Sequence, residues 1–429
     1  MDTGGDTKTP GRHGEPDLDA IIGRALADLL ARSHLMRPGS VATELARAAR
    51  PLGVSAVQIY LADLQQRQLV PLVSDSSRAA EVPGKLAIGA TLAGRAFQTV
   101  TIQSSRGGTG HQVWVPLVDG TERLGVLGLS VADAGATMMD RYRTLASLAG
   151  ILIATKNHIS DTYAYLQRSQ EMALQAEMVW AFLPQRTFAT GEVLVAASLE
   201  PAYEVGGDAY DYSLLGDHLH VSVFDALGHD LASGLLASVG LAACRSTRRA
   251  GGSLSAVMAR ADHAIASQFG DDRFVTALLC DLDMTSGLLS WIACGHPPPL
   301  LIRGNRTVKE LDRPPQLPLG LGPMGERRGQ TYYEAESVVP STEKLEPGDR
   351  VLLYTDGVTE GRAADGTPFG IERLSDFIIR HSSAGLPLSE TMRRLNRAIF
   401  DYQHGRLRDD ATAILVEWQP GRTSGDLTP

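Results

Sequence analysis

The sequence predicts an α+β chain in two folded parts joined by a helical connector. Three observations predict it: helix-spaced apolar segments alternating with hairpin-like strands before about residue 155, a stretch without Gly or Pro from Asp161 to Leu183, and, beyond it, alternating apolar strands that repeatedly end on Asp. With 429 residues, 43% of them hydrophobic, the chain can bury two or three separate cores. The expected division is a disordered tail at 1–17, a first domain at 18–154, a linker helix at 155–188, a second domain at 189–419 and a disordered tail at 420–429.

A formal charge of −9 without a basic stripe argues against nucleic acid as a partner. Cys244, Cys280 and Cys294 sit in apolar segments without C-x-x-C spacing, so buried reduced thiols and a cytoplasmic location are expected rather than zinc or disulfides. The longest apolar stretches fall well short of the roughly 18 to 20 residues that span a bilayer, and the first residues carry acids without an apolar core, so no membrane segment or leader is expected.

In the first domain, "LDAIIGRALADLLARS" and "VATELARAARPLG" have helical spacing, and "SAVQIYLADLQQRQLVPLV" reads as two strands about a polar turn. "IGATLAGRAFQT" is helical again. "QVWVPLVDGTERLGVLGLSVAD" predicts a hairpin turning at Asp119-Gly120, and "MMDRYRTLASLAGILIATKNHI" a closing helix. This order resembles a GAF domain, which implies an α/β sensor holding a small ligand, or an apposed protomer in a homodimer, between sheet and helices. No Cys occurs here, so a thioether-linked chromophore is excluded. His111 and Trp114 read as strand residues at the hairpin entrance before they read as pocket residues.

In the connector, Leu166, Ala173 and Trp180 recur every seven residues, with Ala176 and Leu183 on the intervening seam. A coiled-coil lever between protomers and a helix packed on its own domain both fit this stripe. Fewer than four heptads, with small residues in the seam, favour the second.

The second domain holds the chemistry-bearing residues. Asp208 follows Gly206-Gly207 between two strand patterns, Asp225 ends "HLHVSVFD", Asp356 follows "DRVLLYT", and Asp409-Asp410 open "DDATAILVEW". A lone Asp-Gly is ordinarily a turn. Several aspartates, each at the end of an apolar strand in one domain, need a common explanation, because gathered carboxylates repel unless cations neutralise them. Hard oxygen donors of this kind suit magnesium or manganese. The glycines are expected to let the first strand turn out of the core and aim Asp208 at such a cluster.

"EPAYEVGGDAYDY", "VFDALGHDLASGLLAS", "FVTALLCDLD", "ACGHPPPLLI", "LLYTDGVTEGRAADGTPFG" and "DDATAILV" occur in that order, and over residues 192–418 the chain resembles the SpoIIE-type (RsbU-like) branch of the metal-dependent PPM protein phosphatases. The resemblance implies a PPM-type αββα sandwich with two divalent metal ions, manganese or magnesium, hydrolysing phosphoserine or phosphothreonine in a partner protein. It implies catalytic and metal-ligating roles for Asp208 and Asp225, the latter bridging both ions, with the Ala226 carbonyl, Asp356, Asp409 and Asp410 as further ligands. Asp230 is expected to cap the following helix. His229 receives no acid role. Asp211 is expected to face solvent or support the metal shell, and Gly295–Leu301 to form a rigid turn. The implied partner is a phosphorylated anti-anti-sigma factor. A catalytically inactive phosphoprotein-binding scaffold is the alternative, which retention of the aspartates disfavours. A two-metal cyclase or nuclease would need a nucleotide loop or basic groove, and neither is seen.

Overall fold

The computed structural model describes residues 18–73, 83–107, 110–270, 272–304, 307–322, 338–405 and 407–421. The tail expected at 1–17 and most of the one at 420–429 lie outside these. The N-terminal part runs α1 (Leu18–Ser33), α2 (Val41–Ala49), β1 (Val54–Ala62), β2 (Gln68–Pro71), β3 (Leu86–Ala87), α3 (Leu92–Thr99), β4 (Gln103–Gly107), β5 (Gly110–Asp119), β6 (Glu122–Val131) and α4 (Ala136–Asn157). Its strands form one antiparallel sheet in the order β3-β2-β1-β6-β5-β4.

Strand alternation separates the two faces of this sheet. Ile59, Leu61, Val113, Val115, Leu127 and Leu129 share a core with α1, α2 and α4. The intervening Tyr60, Ala62 and Val126 pack with Phe97 and Ala96 of α3 on the other face. Trp114 meets Tyr60 edge-on at 5.8 Å and serves this second cluster.

The connector departs from the expected single helix. It forms α5 (Thr162–Gln167) and α6 (Leu174–Phe182), separated by non-helical residues. The cause is tertiary: the Tyr203 hydroxyl accepts from the Ser169 N–H at 2.9 Å and the Tyr203 carbonyl from the Ala173 N–H at 2.9 Å, while Arg168 pairs with Glu177. Backbone donors that a helix would use are claimed by the following domain. The apolar stripe is divided accordingly. Leu166 packs on the N-terminal core, whereas Ala173, Ala176, Trp180 and Leu183 pack on the C-terminal one.

The C-terminal part continues with β7 (Thr187–Ala189), β8 (Val193–Glu200), β9 (Asp208–Leu215), β10 (His218–Ala226), α7 (Leu231–Arg249), α8 (Leu254–Phe269), β11 (Val275–Asp283), β12 (Leu288–Cys294), β13 (Leu300–Arg303), β14 (Thr307–Glu310), β15 (Ser341–Lys344), β16 (Arg350–Tyr354), α9 (Asp356–Glu360), α10 (Gly370–Ser383), α11 (Leu388–Tyr402) and β17 (Ala411–Trp418). Two antiparallel sheets, ordered β15-β12-β11-β10-β9 and β14-β13-β16-β17-β8-β7, stack face to face. Val351, Leu353, Ile414 and Val416 point between the sheets, and Leu352, Tyr354, Ala413 and Leu415 point toward α10 and α11. Helices α7 and α8 cover the opposite face, where Phe224 lies under Gly240. The layers are therefore αββα, with Cys244, Cys280 and Cys294 buried in them. Among the described residues, no helix is long and apolar enough to cross a membrane.

Asp211 corrects one expectation: it neither faces solvent nor joins the other aspartates. It is 1% exposed, and its two oxygens pair with Arg245 at 2.7 Å and Arg248 at 3.1 Å on α7. This ion pair ties β9 to α7. Removing one member of such a buried pair strands the others without partners, so Asp211→Ala should lower stability by about 3 kcal/mol or more in urea unfolding, while leaving any metal-induced stabilisation in place.

Candidate metal site at the mouth of the sandwich

Two adjacent strands deliver the first pair of aspartates. Asp208 opens β9 and Asp225 lies next to last in β10, and the register sets them directly opposite each other. In an antiparallel pair, opposed residues share a face. Asp225 has the same parity as Val221 and Val223, so it lies on the inter-sheet side, at the end where the sandwich opens.

The second sheet contributes the rest. Thr355 lies between β16 and α9, and its hydroxyl, rather than capping the helix, donates to Asp208 Oδ2 at 2.7 Å while accepting the Thr412 N–H at 2.9 Å. Asp356 is the first residue of α9, where a helix rather than the expected strand end carries it. Asp410 lies just ahead of β17, and its Oδ2 accepts from the Gly206 and Gly207 N–H groups at 2.8 Å each and from Asp208 N–H at 3.3 Å. Asp409 is exposed beside it and accepts the Asp410 N–H at 2.9 Å.

The glycines act by close approach rather than by turning the strand out. A Cβ at Gly207 would stand 2.5 Å from the Ala226 carbonyl oxygen and 2.8 Å from that of Gly228. The bare backbone therefore lets the Asp208 loop lie against the end of β10, with the Ala226 N–H bonded to the Gly207 carbonyl at 3.1 Å. Gly357 plays the same part across the site, since a Cβ there would overlap the Asp410 carbonyl oxygen.

These carboxylates share one electrostatic field. Burial, followed by the charges of Asp225 and Asp410, pushes Asp208 well above the usual carboxylate range. Burial and then Asp356, Asp409 and Asp410 push Asp225 up to about 7. Burial and Asp409 raise Asp356, and burial raises Asp410 against the opposing pull of its three backbone N–H bonds. Among the described residues, no basic side chain forms an ion pair with any of the five. Nor, among the described residues, is any group of three or more His, Cys, Asp or Glu side chains yet gathered tightly enough to hold an ion. What the fold brings together is an uncompensated negative charge lined by hard oxygen donors, which fits divalent cations of the magnesium or manganese type.

Other residues fall around this cluster. Asp230 caps α7 as expected, accepting the Ser233 N–H at 2.9 Å, and it also pairs with Arg273 at 3.0 Å. His229 is exposed on the adjoining loop. His296, in the proline-rich turn, is buried; one ring nitrogen stands 3.0 Å from the Tyr354 carbonyl and the other 2.9 Å from the Thr276 hydroxyl. Burial lowers its pKa to about 4, so it is a neutral strut behind Thr355. Thr355 and His296 had no distinguishing sequence signal, because a hydroxyl beside Asp-Gly and a His before prolines are common in turns. Gly357→Ala should cost about 1–3 kcal/mol by overpacking and should weaken metal-induced stabilisation as well, both measurable by thermal unfolding with and without manganese.

Comparison with known proteins places this cluster in a family. Residues 216–419 match the family model described as Stage II sporulation protein E (SpoIIE), a span that contains Asp225, Ala226, Asp356, Asp409 and Asp410 and begins after Asp208. The chain is 25% identical over 342 residues to Protein IcfG of Synechocystis sp., covering 71% of this chain and 51% of that protein. It is 23% identical over 225 residues to the phosphoserine phosphatase RsbU of Bacillus subtilis, covering 52% of this chain and 62% of that one. The chain thus spans about half to three-fifths of the length of these two relatives. Among solved structures, the SiaA-PP2C domain of Pseudomonas aeruginosa aligns with 62% of this chain and 98% of its own at 22% identity and a TM-score of 0.47. Over residues 216–419, the C-terminal sandwich is therefore a domain of the SpoIIE family.

Proposed function

We propose that the protein is a metal-dependent serine/threonine phosphatase acting on a signalling phosphoprotein, with the N-terminal domain as a GAF-like sensor that regulates it. The observation that carries this reading is the uncompensated aspartate cluster at the mouth of a SpoIIE-family sandwich. Asp208, Asp225, Asp356 and Asp409 would hold two divalent ions, with the Ala226 carbonyl and Asp410 completing the set. When bound, such ions supply Lewis-acid polarisation of the phosphoryl group and lower the pKa of water.

The chain's own groups contribute positioning. Strands β9 and β10 fix Asp208 and Asp225 on rigid backbone, and the Thr355 hydroxyl locks the Asp208 carboxylate through Oδ2. Asp410 is oriented by three backbone donors on Oδ2, which leaves Oδ1 as the oxygen available to the site. The names RsbU and phosphoserine phosphatase, borne by one relative, support an anti-anti-sigma factor of a partner-switching pathway as the substrate.

Hydrolysis of p-nitrophenyl phosphate and of a phosphorylated anti-anti-sigma protein should require manganese or magnesium and stop with chelator. Asp225→Asn should lower turnover at least about a hundredfold. Full activity in chelator, or in this variant, would refute the assignment.

A pH dependence follows from Asp225. Its folded pKa is raised above the unfolded value, to about 7, so metal-free native protein binds the extra proton below that pH and loses the associated stability as pH rises through it. In chelator, the melting temperature should fall as pH rises from about 4 to about 7 and level off above that, and the stabilisation given by manganese should grow over the same interval, because the ion replaces the proton. Manganese stabilisation independent of pH would contradict this.

A further inference from the structure

A cavity of about 120 Å³ lies where the N-terminal sheet meets the C-terminal sandwich, far more than the roughly 15 Å³ that one water needs. None of the clustered aspartates lines it. Its walls come from the β1–β2 turn, the start of β6, the approach to β7, and α11. Arg123 of β6 crosses the boundary in a buried ion pair with Glu390 of α11 at 3.1 Å, and its Nη2 also donates to the Ser389 carbonyl.

Two features of this cavity call for a ligand. Arg123 and Ser389 are among its lining residues, and Arg123 Nε and the Ser389 hydroxyl are buried without a hydrogen-bond partner. Buried donors left unpaired are destabilising, because the desolvation they suffered is not offset. Arg67 and Arg186 also line it, and among the described residues neither forms an ion pair. Arg67 lies over the Phe400 ring at 4.2 Å, and Arg186 lies over Trp180 at 5.0 Å while donating to the Leu64 carbonyl. Each guanidinium is thus held in place by an aromatic face with hydrogen-bonding edges to spare. The carboxylates of the lining are hydrogen-bonded elsewhere, Glu122 to Thr187 and Glu200 to Gln65 and the Ala202 N–H, with Asp401 paired to Arg397, although Glu122 and Glu200 also lie in the field of Arg186, and Glu200 in that of Arg67.

We propose that this interdomain cavity binds a small ligand bearing an oxyanion, a carboxylate or phosphate group, which bridges Arg67 and Arg186 and receives the unpaired Arg123 and Ser389 donors. The ligand clamps the two domains. Its rim touches the route to the aspartates, since Glu200 ends β8 and anchors the loop that leads through Gly206 and Gly207 to Asp208. The site is independent of the phosphatase reading.

The test is a fluorescence titration of the full chain with inorganic phosphate and, separately, succinate. The reporter is Trp180, whose contribution is assigned with Trp180→Phe. A saturable response to either anion is expected, and which one responds identifies the group. Arg67→Met should weaken it about tenfold or more, as loss of a charge-assisted contact does. Ser389→Ala, which removes a single buried hydroxyl and preserves the fold, should weaken it less. The response should persist in Asp225→Asn, which separates it from any phosphate bound at the aspartates. No saturable response to either anion would overturn the proposal, as would equal affinity in the wild type, Arg67→Met and Ser389→Ala.

Discussion

Buried carboxylates that face one another without a counter-charge are the constraint around which the C-terminal domain is arranged. Asp208 and Asp225 sit opposite each other across β9 and β10, Asp356 and Asp410 arrive from the second sheet, and the field they share raises the proton affinity of each. A protein can hold such a group either by protonating it or by binding a cation. The local architecture prepares for the second. Thr355 and the Gly206 and Gly207 amides fix individual oxygens, and glycines allow the two loops to approach within contact of carbonyls. These devices stabilise the charged forms, which would be wasted on carboxylic acids that stayed neutral.

Much of this was legible in the sequence because apolar runs bounded by turn residues mark the strands, even where, as in β16 and β17, burial on both faces removes the alternation. The hairpin at Asp119-Gly120 and the strand ending at Asp225 follow from this, whereas the αββα layering was implied by the family resemblance. Asp230 as a cap was legible too, since an Asp before a helical apolar run has a local physical meaning. Partners distant in sequence were not legible. Asp211 reads as one more acid beside Asp208, but strand parity turns it to the other face, where α7 supplies two arginines. The connector reads as one helix because nothing in it breaks a helix locally. Tyr203, more than thirty residues onward, takes its backbone donors instead.

The same long-range logic governs the joint between the domains. The Arg123–Glu390 pair and the Gln65–Glu200 contact link residues far apart in the chain, and both meet elements that lead directly into the aspartate loops. The N-terminal and C-terminal domains are therefore in contact through packed side chains as well as through the connector. A change at the joint has a short physical path to Asp208 and Asp410 that needs no continuous lever helix.

The central claim is that aspartates from both sheets together hold divalent ions at one end of the sandwich. Anomalous diffraction from crystals of the full chain grown with manganese tests it most directly. The account predicts strong peaks enclosed by Asp208, Asp225, Asp356 and Asp409, with those side chains drawn together about them. Manganese bound elsewhere, with the four carboxylates left apart, would contradict it.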